Sequence, residues 1–194
     1  MPDLFHGDPI PMNRPGTFDI QEWMNGKYNE KGIAHLPPVV DPIIEKSISE
    51  MKSKYGVKVR RDTFISSLIM LTTMQKIGAV GYCFGAKYVV RFLKPGKIDV
   101  GYSAHPSFIQ DDELKAIKGP FAISAAETDA IFPTEKRHHS EVILKETGQP
   151  YQINLYSGVD HGFAVRGDPK NRVVNYAKES AFLQATQWFE EHLK

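Results

Sequence analysis

The feature that most restricts this chain is the pentapeptide Gly81-Tyr82-Cys83-Phe84-Gly85. It lies between an apolar run ending at Tyr82 and an amphipathic segment starting near Ala86, so the backbone must pass from strand to helix within a very short turn. A residue at the tip of such a turn sits in strained backbone, and the flanking glycines remove side chains that would strike the neighbouring strand and helix. With a thiol at the centre, the spacing is that of a nucleophile elbow. The helix N-terminus favours negative charge on sulfur, and the Phe84 amide can face an oxyanion. Alone, the pentapeptide is a weak signal, and a single cysteine after an apolar strand reads about equally well as a small buried hydrophobe.

The surrounding pattern extends the elbow into a fold. From Lys76 onward, short apolar runs alternate with longer amphipathic segments, which predicts α/β architecture around a mostly parallel sheet with helices on both faces. Strands are expected at Ile77 to Tyr82, Val100 to Ser103, Phe121 to Ala125 and Tyr151 to Tyr156, and helices at Ala86 to Leu93, Pro133 to Thr147 and Val173 to His192. The last helix is expected to turn Phe182, Ala185, Trp188 and Phe189 toward the core. Before Lys76, a turn-rich opening gives way to a short helix at Phe18 to Asn25, a loop through Pro37-Pro38, and a helix at Pro42 to Lys54 with Ile43, Ile44, Ile48 and Met51 at helical spacing. At 194 residues, the length suits one domain.

Two later strands end in groups that could serve a thiol nucleophile. Ala125-Ala126-Glu127-Thr128-Asp129 follows one strand and Ser157-Gly158-Val159-Asp160-His161-Gly162-Phe163 follows the next, giving the order nucleophile, acid, base. Loops at the carboxyl ends of parallel strands converge, so Cys83, Asp129 and His161 are expected to meet. His161 would take the thiol proton and Asp129 would fix its tautomer. Glu127 and Asp160 compete for the acid role, and each of these carboxylates reads otherwise as a turn residue. Of the seven histidines, only His105 rivals His161, and it comes too early in that order.

Composition narrows the function classes. With 24 basic and 23 acidic residues spread along the chain, no basic stripe points to nucleic acid. Cys83 is the only cysteine, so no internal disulfide is expected, and no metal site is suggested. The opening stretch, broken by prolines, His6 and aspartates, reads as no secretory signal, and Phe64 to Met74 is too short to span a bilayer. A soluble, cytoplasmic protein is expected.

Taken together, Gly-Tyr-Cys-Phe-Gly at 81–85, Ser-Ala-Ala-Glu-Thr-Asp at 124–129, His-Gly-Phe-Ala-Val-Arg at 161–166 and the opening Pro-Asp-Leu-Phe-His-Gly-Asp resemble the dienelactone hydrolase family, particularly its fungal-type members. The resemblance covers most of the chain. It implies an α/β-hydrolase fold and a Cys-His-Asp triad of Cys83, His161 and Asp129 that opens lactone or enol-ester bonds without a cofactor. It also implies that Arg166 holds the carboxylate of an anionic substrate, a role for which a guanidinium fork is suited. Without the family, Arg166 reads equally well as an exposed arginine beside Asp168.

Two departures accompany the resemblance. The chain begins inside a loop that in the family follows the first strands of the fold, so the second oxyanion donor and a thiol-contacting glutamate have no counterpart here. Val59 to Gln75 also intervenes before the elbow strand, and its apolar part is expected to pair with or cover that strand. Both departures equally fit a gene model with a late start codon and a retained intron. The readings set against an active hydrolase are a catalytically weak binding or interaction module and, ranked last, a redox sensor at Cys83.

Overall fold

The computed structural model describes residues 3–10, 16–55, 63–65, 68–73 and 76–194. The chain divides into two compact units, Met1–Gly56 and Val57–Lys194.

In the first unit, Asp19 caps α1 (Ile20–Met24) by accepting from the amides of Gln21 and Glu22. Trp23 is fully buried, stacks on His35 with ring centroids 4.1 Å apart, and donates its indole N–H to the Asp8 carbonyl at 3.0 Å. The Asp8 carboxylate lies 3.0 Å from His35 Nε2, so the turn-rich opening is tied down by polar contacts with α1 and its following loop. Helix α2 (Pro37–Tyr55) starts five residues earlier than the predicted Pro42 to Lys54. Proline is tolerated in a first helical turn, where its missing N–H has no partner to lose, so Pro37-Pro38 opens the helix instead of forming a loop. Val40, Ile44, Ile48 and Met51 form its buried face.

The second unit is built on a six-stranded sheet in the order β1-β2-β3-β4-β5-β6. Strands β1 (Thr63–Ile65) and β2 (Leu68–Thr73) form an antiparallel hairpin, and β2 pairs antiparallel with the elbow strand β3 (Lys76–Tyr82), from Thr73 opposite Lys76 to Leu68 opposite Gly81. The expected apolar element therefore pairs with the elbow strand. Residues 59–62, 66–67 and 74–75 of it lie outside the described residues.

From β3 onward the sheet is parallel, through β4 (Val100–Ala104), β5 (Phe121–Thr128) and β6 (Tyr151–Asp160). Near-continuous burial of β3, β4 and most of β5 fits strands covered on both faces. Helix α3 (Phe84–Phe92) packs on β3 and β4. It is followed by α4 (Asp111–Lys115) and α5 (Thr134–Thr147), then by the short α6 (Phe163–Arg166) and the long α7 (Arg172–His192).

On the α7 face, Val80, Val100, Tyr102, Ala104 and Ala122 meet Ala185, Trp188, Phe189 and Leu193. A buried polar lattice locks this contact. Tyr102 Oη lies 2.7 Å from Ser124 Oγ and donates to the Ala181 carbonyl, Ser124 Oγ donates to Gln184, and Trp188 Nε1 donates to the Gly101 carbonyl. Ala185, Trp188 and Phe189 are buried as predicted, but Phe182 is 64% exposed and does not face the core. The buried stripe runs through Ala177, Ala181, Ala185 and Trp188 at intervals of three or four, and Phe182 lies one residue, about 100°, off it.

Candidate active site

Three strand ends bring the candidate groups together. At the first, Cys83 takes φ 51° and ψ −114°, a backbone conformation rare for a side-chain-bearing residue, immediately before α3. Its amide bonds the Ala104 carbonyl at 3.2 Å, which fixes the tip of the elbow onto β4. Gly81 has no room for a side chain, since a Cβ there would fall 2.5 Å from the carbonyl carbon and oxygen of Gly85. The glycine spacing of the elbow is thus a direct packing requirement of strand against helix.

The other two ends belong to β5 and β6, where the register shifts between Ala126 and Thr128. Residues 157–159 of β6 bulge opposite Glu127, and the Glu127 carboxylate accepts from the Gly158 amide at 2.7 Å. This spends Glu127 on holding the bulge rather than on the histidine. Beyond the bulge, Thr128 pairs with Asp160, and the His161 amide bonds the Thr128 carbonyl at 3.1 Å. Asp160 itself stays exposed.

The result is a continuous line of polar atoms. Asp129 Oδ2 lies 2.7 Å from His161 Nδ1, and His161 Nε2 lies 3.2 Å from Cys83 Sγ. The second oxygen of Asp129 accepts from the amides of Ile131 and Phe132 at 2.8 and 2.9 Å, so the carboxylate is fully engaged and cannot swing away.

The electrostatics follow this geometry. Burial favours the neutral form of each group, but the mutual contacts outweigh it. His161 is raised to about 9, against burial, by its bonds to Asp129 and Cys83. Cys83 is lowered, again against burial, by His161, then by the Ser107 hydroxyl and the Phe84 amide. Asp129 is lowered in the same way by His161 and its two backbone donors. Such a site favours a thiolate beside an imidazolium.

The Phe84 amide points at the Cys83 sulfur, where an oxyanion formed on a bound acyl group would lie within reach. Arg166 ends α6, and its guanidinium folds back over Gly162. A Cβ on Gly162 would lie 2.6 Å from one guanidinium nitrogen, and Gly162 takes φ 95°, a backbone conformation that favours glycine. Arg166 makes no ion pair among the described residues, Asp168 included, which leaves it available to an anion.

Two neighbours were not singled out from sequence as part of the site. Ser107 Oγ lies 3.3 Å from Cys83 Sγ and 3.5 Å from His161 Nε2. His105, the sequence rival of His161, packs edge-on against it with ring centroids 5.1 Å apart. Burial and the nearby His161 push His105 down to about 3, and neither of its ring nitrogens has a hydrogen-bond partner among the described residues. It is therefore a neutral wall of the site with no hydrogen bond to the thiol. The only available signal for both residues was their position at the carboxyl end of a parallel strand.

Among the described residues no three side chains cluster to hold a metal ion, and no helix is long and apolar enough to cross a membrane.

Comparisons with known proteins show the family and the fold. Hydrolase tropI of Talaromyces stipitatus is 59% identical over 194 residues, which is 100% of this chain and 70% of that protein. Hydrolase pyvD of Aspergillus violaceofuscus is 47% identical over 194 residues, 100% of this chain and 69% of that protein. Among solved structures, esterase PE8 superposes with a TM-score of 0.51 at 16% identity, covering 76% of this chain and 60% of that one, and so shares the α/β-hydrolase fold. The sequence model of the dienelactone hydrolase family matches residues 2–193, and the chain belongs to that family of ester and lactone hydrolases.

Proposed function

We propose that this hydrolase opens a lactone or ester bond of a small anionic substrate, of the dienelactone kind, through a Cys83-His161-Asp129 triad. The observation that carries the reading is the unbroken Asp129–His161–Cys83 line at 2.7 and 3.2 Å.

In the first half-reaction the thiol proton passes to His161 Nε2 and the thiolate attacks the carbonyl carbon. The carbonyl oxygen becomes an oxyanion facing the Phe84 amide. As the tetrahedral adduct collapses, the carbon–oxygen bond of the lactone breaks, and the leaving oxygen takes the proton from Nε2 to leave a thioester on Cys83. Water then enters, gives a proton to His161 and attacks the thioester. Collapse releases the carboxylic acid and returns the proton to sulfur. Lactone plus water gives the ring-opened acid, so atoms balance without an external reagent.

Asp129 holds Nδ1 and offsets the charge that appears on the imidazole in both halves. Arg166 binds the substrate carboxylate beside His161. The two units are read as parts of one hydrolase domain, because the family match runs through both. A thiol nucleophile works in a reducing compartment, which supports a cytoplasmic location.

The test is hydrolysis of a dienelactone and of a small aryl ester by the purified protein and by Cys83→Ala. Turnover that disappears with the thiol is the expected result. Undiminished turnover by a folded Cys83→Ala protein would overturn the triad.

A further inference from the structure

The loop joining β4 to α4 carries backbone features that the sheet does not require. His105 and Phe108 both have positive φ, 38° and 59°, values that residues with side chains rarely adopt. The loop is held in this shape from several sides. The Ser107 amide donates to the Cys83 carbonyl at 3.0 Å. Lys87 Nζ, on α3, donates to the Phe108 carbonyl at 3.1 Å and grips Glu113 at 2.7 and 2.9 Å, and Glu113 accepts from the Gln110 amide at 3.0 Å. Strained backbone persists where the surroundings over-determine it, and here the constraints converge on Ser107.

Ser107 is 1% exposed, so its hydroxyl gains little from water. Its oxygen has two neighbours, Cys83 Sγ at 3.3 Å and His161 Nε2 at 3.5 Å. For a large sulfur acceptor 3.3 Å is a close contact, whereas 3.5 Å to nitrogen lies at the outer edge of a hydrogen bond. The single hydroxyl proton is therefore directed at the sulfur, with Ser107 Oγ as donor.

We propose that the Ser107 hydroxyl is a fourth member of the reacting centre, donating its hydrogen bond to Cys83 Sγ and holding the sulfur as a thiolate beside the His161 imidazolium. The inference rests on the reading of Cys83 as the nucleophile. When the thiol proton moves to Nε2, the sulfur gains a full charge in a half-buried site, and such an anion persists only where donors surround it. His161 supplies one donor and the Phe84 amide another. During attack the Phe84 amide is needed by the carbonyl oxygen, and Nε2–H by the leaving group. Ser107 has no other duty, which suits it to hold the sulfur until it attacks and again when the thioester is released.

The experiment follows Cys83 ionisation directly, by the rate of alkylation with iodoacetamide against pH and by thiolate absorbance, in the full chain and in Ser107→Ala. Loss of a hydrogen bond to a charged acceptor is expected to raise the ionisation midpoint by about one unit and to slow alkylation about tenfold on the acid side. Ser107→Thr, which keeps the hydroxyl, is expected to keep the original midpoint. Should Ser107→Ala not fold, Ser107→Gly removes the same hydroxyl and is read by the same criterion. An unchanged midpoint in the folded deletion variant overturns the proposal, as does an equal rise in Ser107→Thr, which would assign the effect to shape. Because alkylation reads the thiol and not turnover, it separates this inference from the catalytic reading, which stands or falls on hydrolysis by Cys83→Ala.

Discussion

Thr128 and Asp160 are the last register partners of β5 and β6, and the residues that follow them, Asp129 and His161, meet in a 2.7 Å hydrogen bond. The bulge at residues 157–159 sets this register. It absorbs the extra length of β6, and the Glu127 carboxylate closes it on the Gly158 amide. The pair is therefore placed by main-chain hydrogen bonding, and a side chain at either position inherits its direction from the sheet.

The direction of the titrations fixes the pH dependence of turnover. Cys83 is held below the ordinary thiol range and His161 is raised to about 9, so activity should rise on the acid side as the thiolate forms and fall as His161 loses its proton near pH 9. Asp129→Asn removes a contact that raises His161. The alkaline limb should then move to lower pH, and kcat should drop by about 10²-fold or more. An alkaline limb that stays in place would show that Asp129 does not set the histidine. Stability follows the same sign: the contribution of the raised His161 is complete below about pH 6.5 and is lost as pH climbs through about 9.

Arg166 makes a prediction about substrate charge. Arg166→Ala should raise KM for a carboxylate-bearing lactone about 10- to 100-fold and leave a neutral aryl ester within about twofold. Arg166→Lys should restore part of the loss, because an ammonium cannot match the guanidinium fork. Equal effects on both substrates in steady-state kinetics would remove the arginine from substrate recognition.

Gly81 should tolerate no side chain. In Gly81→Ala the new Cβ meets the Gly85 carbonyl group at 2.5 Å and the Ala86 nitrogen at 2.6 Å, and these backbone atoms cannot turn aside. A loss of about 3 kcal/mol or more is expected in urea unfolding. A variant with unchanged stability would mean that strand and helix do not close on each other at the elbow.

The faces of α7 can be tested as a contrast between two phenylalanines. Phe189→Ala empties a buried position and should cost about 3–5 kcal/mol. Phe182→Ser alters an exposed one and should stay within about 0.5 kcal/mol. Comparable losses would place Phe182 in the core after all.

That contrast marks where sequence reasoning stops. The strands from Ile77, Val100 and Phe121 were legible because buried parallel strands leave continuous apolar runs, and the partly buried strand from Tyr151 through its β-favouring Tyr151, Ile153 and Tyr156. Their ends were less so: β5 continues through Thr128 and β6 through Asp160, because polar residues near the site pair in the ladder as readily as apolar ones. The short helices Asp111–Lys115 and Phe163–Arg166 were not legible, since four or five residues give too little periodicity. Phe182 was misplaced because an aromatic residue near a buried stripe looks like part of it. Cys83, Asp129 and His161 were legible through spacing and chain order, whereas Ser107 carries no local pattern. Its burial comes from a loop that folds back onto the Cys83 carbonyl, a contact between residues 24 positions apart.

The polar lattice under α7 has a mechanical consequence. Tyr102, Ser124, Gln184 and Trp188 join helix to sheet through directional bonds at successive turns, so sliding the helix over the strands would break them together rather than one at a time. A shear of this layer is therefore closed to the molecule as a way of admitting substrate. Helix α7 is thereby a fixed frame for the strand ends that carry Cys83, Asp129 and His161.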